Sequence, residues 1–185
     1  ECEKLEHVEL PSSLREIERD AFRECKSLRS IKIPEGMESI YMAAFLGCEK
    51  LEHVELPNSL REIGAGVFGD CRALRAIKIP EGVESVGEWV FYNCEKLEHV
   101  ELPSSLKEIG NYSFAHCKSL KSVKIPEGVE RLGEEVFVWC EKLEHIELPN
   151  SLREIANYAF AHCESLRAIK IPERVERLCE KVFEW

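Results

Sequence analysis

The sequence predicts a solenoid, a coil of short stacked units in place of one globular core. Three observations carry the prediction. Cys2, Cys25, Cys48, Cys71, Cys94, Cys117, Cys140 and Cys163 stand 23 residues apart, and the 185 residues are one more than eight times 23. Pro11 to Pro172 and Phe22 to Phe183 keep the same step, which uses all eight prolines and all eight phenylalanines. With 44% hydrophobic residues the chain has apolar surface to bury, which argues against disorder. Residues 1–185 therefore read as a single solenoid domain of eight 23-residue repeats.

Each row of the repeat has a physical role. Written from its cysteine, one unit reads CEKLEHVELPNSLREIGAGVFGD and the next CRALRAIKIPEGVESVGEWVFYN. Cys, Leu, Pro and Phe are invariant, and the rows of Val8, Leu10, Leu14 and Ile17 stay apolar. The row of Ala21 is small or β-branched, with Ser113 its only polar member. LEHVEL alternates like a half-buried strand, Val8 and Leu10 inward, His7 and Glu9 outward. Proline ends the strand because it cannot donate to a ladder. The return path must be mostly turns, with a short second strand or a helical turn near Phe22 as the alternatives. Stacked units share one core, and the phenylalanines form a spine inside it.

The row placement also bears on the cysteines. Side chains in one row point the same way, so their Cβ vectors do not converge as a disulfide or a zinc site requires. The row reads as small buried hydrophobes suited to a reducing environment. Cys179 stands outside it, where other repeats have Gly64, Gly87, Gly110 and Gly133, and is expected to be partly exposed.

The pattern C-x-x-L-x-x-[VI]-x-[LI]-P, then [LVM]-x-x-[ILV], then F-x-x-C resembles the bacterial leucine-rich repeats of the BspA or Treponema type, from Cys2 to Trp185. The resemblance implies a curved right-handed solenoid with a parallel sheet on its concave face. It further implies a surface recognition or adhesion module without catalytic residues. Neither end carries a distinct cap sequence, which leads to an expectation of self-association through the ends.

A longer period lies over the first. Glu9, Lys32, Glu55, Lys78, Glu101, Lys124, Glu147 and Lys170 alternate in sign, as do the rows beginning at Glu6 and Arg15, so the period is 46 and the chain is four double repeats. Like charges stacked at about 4.8 Å would repel, and alternation turns that into cross-strand attraction. The row of Glu3 and Lys26 follows until Glu164, which should be basic. Core rows alternate too, as in Leu10, Ile33, Leu56 and Ile79. Drift would strike every tolerant row, so this regularity reads as an engineered or idealised repeat protein.

Variation gathers around the phenylalanines, where Trp89, Trp139, Trp185, Tyr41, Tyr92, Tyr112 and Tyr158 all lie. Aromatics beside small residues on a charged surface are the composition of a binding edge. The candidate protein-binding residues are Met42, Leu46, Trp89, Tyr92, Tyr112, His116, Trp139, Tyr158 and His162. Ala65, Gly66 and Gly69 sit between bulky neighbours, which predicts a notch. The competing readings are tolerant surface loops and aromatics that cover the edge of the core. His7, His53, His99 and His145 line the strand face in alternate strands, about 9.6 Å apart and too far for one metal ion to bridge.

The net charge of −10 argues against nucleic acid and anionic membranes, and no apolar run reaches transmembrane length. No segment of the sequence reads as a targeting signal, so none is expected among these residues. No phosphate loop, nucleophile elbow or HExxH is present, so neither an enzyme nor a cofactor is expected. The leading expectation is a protein-interaction scaffold. The alternatives are a purely structural solenoid and a fragment of a surface adhesin.

Overall fold

A computed structural model describes residues 2–184. The chain winds as a parallel β-solenoid, with no helix among the described residues. Of the two alternatives for the return path, the short second strand forms in every repeat and carries the uninterrupted sheet. It comprises β1 (Glu16–Ile17), β3 (Ser39–Ile40), β5 (Glu62–Ile63), β7 (Ser85–Val86), β9 (Glu108–Ile109), β11 (Arg131–Leu132), β13 (Glu154–Ile155) and β14 (Arg177–Leu178). Its register stacks Ile17 on Ile40 and Ile40 on Ile63. The phenylalanines form the expected spine, Phe22 through Phe183, with successive ring centroids 5.2 to 5.8 Å apart. Turns, and not a helix, surround each ring. Ala21 and Cys25, for example, donate to the carbonyls of Glu18 and Phe22 three residues back.

The LEHVEL-type strands pair in twos. β2 (Ser30–Lys32) joins β4 (His53–Glu55), β6 (Ala76–Lys78) joins β8 (His99–Glu101), and β10 (Ser122–Lys124) joins β12 (His145–Glu147). The 46-residue period is thus a structural unit. Lys32–Glu55, Lys78–Glu101 and Lys124–Glu147 close ion pairs of 3.0 to 3.1 Å across these junctions. Among the described residues no such pair joins Glu55 to Lys78. Burial follows the same frame. Ile31, Ile77 and Val123 are buried, whereas Val54, Val100 and Ile146 are half-exposed. The charge alternation also appears in Lys107–Glu84 and Arg153–Glu176. Nothing in the structure explains Glu164.

A second interlock lies after the prolines. Ser59, Ser105 and Ser151 each accept the N–H of Gly36, Gly82 or Gly128 one turn earlier and donate to the carbonyl of Met37, Val83 or Val129. Each hydroxyl therefore stitches two members of the double repeat.

All nine cysteines are free, and those from Cys25 to Cys163 are buried. They are more than apolar filler. From Cys48 to Cys163, each Sγ donates to the carbonyl oxygen of the phenylalanine 26 residues earlier, at 3.1 to 3.4 Å. Burial pushes the Cys48 and Cys163 thiols up to about 12. Cys2 is exposed and Cys179 partly so. Ser113, buried among apolar neighbours, donates at 2.9 and 2.6 Å toward the carbonyls of Gly87 and Gly110.

Candidate functional site

The aromatic edge is built by two rows of left-handed residues. Asp20, Ala43, Gly66, Trp89, Tyr112, Glu135, Tyr158 and Lys181 have φ between 51° and 64°. Glu24, Gly47, Asp70, Asn93, His116, Trp139 and His162 lie between 56° and 76°. This conformation disfavours a Cβ, so each non-glycine member costs about 1 kcal/mol. Backbone bonding along the coil offsets that cost. Trp89, Phe91 and Asn93 donate their N–H groups to the carbonyls of Asn111, Ser113 and Ala115 at 2.8 to 3.0 Å, and other repeats follow. The two left-handed rows flank the Phe spine.

On this frame the candidate residues fall into two lines. Trp89 stacks on Tyr112 with centroids 5.8 Å apart. Tyr92 meets His116 edge-on at 5.5 Å, His116 lies over Trp139 at 6.2 Å, and Trp139 stacks on His162 at 4.0 Å. Tyr158 does not join Tyr112, because Glu135 stands between them in the row and accepts the Tyr112 hydroxyl at 3.2 Å. Burial, followed by Glu135, raises the Tyr112 phenol above its ordinary range. Burial, followed by Lys118, lowers the His116 imidazole below its own.

Exposure separates the candidates. Met42 and Trp89 are each 44% exposed and Trp139 37%. Leu46, Tyr92, Tyr112, His116, Tyr158 and His162 are half-buried. Tyr92, Tyr112 and Tyr158 pack on a small cluster of Ala115, Val138 and Ala161, apart from the main core. Trp185 lies outside the described residues.

The notch forms in the third repeat. A cavity of about 530 Å³ is lined by Met42, Ala43, Leu46, Ala65, Gly66, Gly69, Trp89, Tyr92 and Tyr112, with Arg19, Asp20 and Arg23 on one rim. The charged rim was the part that aromatic composition did not point to. Its sequence signal is the pair of arginines in the first repeat, at positions equivalent to Met42 and Leu46 in the second.

The strand-face histidines His7, His53, His99 and His145 are exposed. Among the described residues no group of three or more His, Cys, Asp or Glu side chains is placed to hold a metal ion. No helix among them is long and apolar enough to cross a membrane.

The sequence matches the family described as BspA type Leucine rich repeat region (6 copies) over residues 1–118 and 62–185. A leucine-rich repeat protein of T. pallidum is similar in structure, with a TM-score of 0.81 and 36% identity over 85% of this chain and 76% of its own. One from Bacteroides ovatus has a TM-score of 0.71 and 28% identity, covering 99% of this chain and 59% of that one. One from Eubacterium ventriosum has a TM-score of 0.76 and 26% identity, covering 85% and 43%. The chain thus spans less than two thirds of the latter two proteins. No curated protein sequence matches it.

Proposed function

The chain belongs to the BspA-type leucine-rich repeat family, and we propose that it is a non-catalytic protein-interaction scaffold that binds through its aromatic lateral edge. The observation that carries this reading is the exposure of Met42, Trp89 and Trp139 on an edge whose fold is held elsewhere, by the Phe spine and the strand ladders. Large aromatics left in solvent at one edge contribute little to burial and much to recognition. Affinity capture with the immobilised chain tests it, repeated with Trp89, Tyr92, Tyr112, Trp139 and Tyr158 changed singly to Ala. A partner lost at unchanged melting temperature supports the scaffold. Capture of nothing beyond an unrelated control protein contradicts it.

A second reading, a purely structural solenoid, draws on the packing of Tyr92, Tyr112 and Tyr158 over Ala115, Val138 and Ala161. In that reading the tyrosine variants lose stability and no interaction. Self-association belongs with it, because Leu178 on β14 is 52% exposed. A sizing column run across a concentration series tests it, and a single concentration-independent monomer peak removes it.

A further inference from the structure

Resting on the interaction reading above, we infer that the notch of the third repeat docks a partner-protein segment that inserts a bulky apolar side chain and sets an adjacent carboxylate against Arg19 and Arg23. The pocket is a gap in a regular ladder. Ala43, Gly66 and Trp89 are successive members of one row, with φ of 57°, 64° and 55°. The middle member alone has no side chain, and a Cβ built on Gly66 would meet nothing within 4 Å. Gly69 makes room for Leu46, which lines the gap and whose Cδ1 lies 2.8 Å from where a Cβ at Gly69 would sit. The result is a site between an exposed thioether and an exposed indole. Flexible Met and rigid Trp together suit an inserted apolar anchor.

The rim decides the charge of the occupant. Arg19 Nε and Arg23 Nη1 lie 3.3 and 3.2 Å from the two carboxylate oxygens of Asp20. Two guanidiniums share one carboxylate, so among the charged residues that line the notch one positive charge is in excess, on a chain whose net charge is −10. An incoming carboxylate completes the second pair by charge-assisted hydrogen bonds. The acidic remainder of the surface repels the same segment, so charge selects both the site and the orientation.

Panning a random-peptide phage library against the full chain tests the inference, followed by fluorescence polarisation of the enriched peptide on variants. The expected consensus is an aromatic or large aliphatic residue next to Asp or Glu. Gly66→Trp, which fills the gap in a row that already carries Trp89, is expected to weaken binding about tenfold or more. Reversal of Arg19 and Arg23 to Glu is expected to do the same, and His99→Ala, exposed on the strand face, to leave binding unchanged. Met42→Glu gives an independent variant should Gly66→Trp alter the melting temperature. No enrichment, an apolar-basic consensus, or binding indifferent to both Gly66→Trp and Met42→Glu overturns the notch. Peptide binding lost with Trp139→Ala but kept with Gly66→Trp also overturns it while leaving the wider edge reading standing. Concentration-dependent dimerisation abolished by Gly66→Trp assigns the notch to a second copy and likewise overturns the inference.

Discussion

The thiol of Cys94 donates to the backbone carbonyl oxygen of Phe68, 3.1 Å away and one coil turn earlier. The same carbonyl accepts the N–H of Cys71 at 3.2 Å, so the sulfur supplies its second donor. Repeated along the coil, this contact ties the cysteine row to the Phe spine.

A thiol buried and bonded in this way is unreactive, because burial raises its pKa and a thiolate is the attacking species. A maleimide added to the native protein is therefore expected to modify only Cys2 and Cys179. The remaining cysteines become reactive in denaturant. Mass spectrometry of the native labelling reaction checks this, and rapid native modification of Cys94 would contradict it.

The glycine row brings backbones together. A Cβ on Gly110 would lie 2.7 Å from the Glu88 nitrogen and 2.8 Å from the Gly87 carbonyl carbon. Where the row carries Ala156 instead, its N–H bond to Leu132 is 3.2 Å, against 2.8 Å for Gly110 to Val86. Gly110→Ala is expected to destabilise by about 1–3 kcal/mol, despite the gain it makes in the unfolded chain. Urea denaturation reads the change, and a stabilised variant would show that the coil spreads freely.

In the strand row of Lys32, Lys78 and Lys124 the ion pairs fall within the double repeat. Lys78 pairs with Glu101 at 3.1 Å, and among the described residues no ion pair joins it to Glu55. Lys78→Glu is expected to cost at most about 1 kcal/mol, given the exposure of both partners. Adding Glu101→Lys should recover most of that loss, and salt near 1 M should shrink it. A double variant as unstable as either single variant would mean that both junctions carry equal coupling.

Acid should weaken the edge at His116. Its folded imidazole titrates below the ordinary value of 6.5, chiefly through burial, so the unfolded chain takes up the proton first as pH falls. The stability contributed by neutral His116 is full above pH 6.5 and is lost as pH falls through the lower folded value. His116→Phe is expected to flatten that part of the stability-against-pH curve. An unchanged slope, or an NMR titration of His116 above 6.5, would reverse the assignment.

Much of the coil was legible because rows of one residue type repeat without insertion. Phe22 to Phe183 read directly as a spine, and Ala65, Gly66 and Gly69 between Met42 and Trp89 read as a notch. Other features left weak traces. Strands as short as Glu62–Ile63 are below the length at which period-two alternation can be seen. The left-handed rows were signalled by scattered Asp20, Gly47, Gly66, Asp70, Asn93, His116 and His162, residue types that tolerate positive φ, while Trp89 and Tyr112 in the same rows concealed it. The serine hooks of Ser59, Ser105 and Ser151 had no signal beyond their 46-residue recurrence, because a hydroxyl's partner one turn away depends on the coil's rise.

The account rests on a division of labour between a core that holds the fold and an edge free for recognition. Phe91, fully buried in the spine, and Trp89, two residues earlier and 44% exposed, fall on opposite sides of that division. Urea unfolding of the two alanine variants measures it directly. The account expects a loss of about 3–5 kcal/mol for Phe91→Ala and less than about 1 kcal/mol for Trp89→Ala. Comparable losses for the two would show that the edge aromatics are part of the core, and would contradict it.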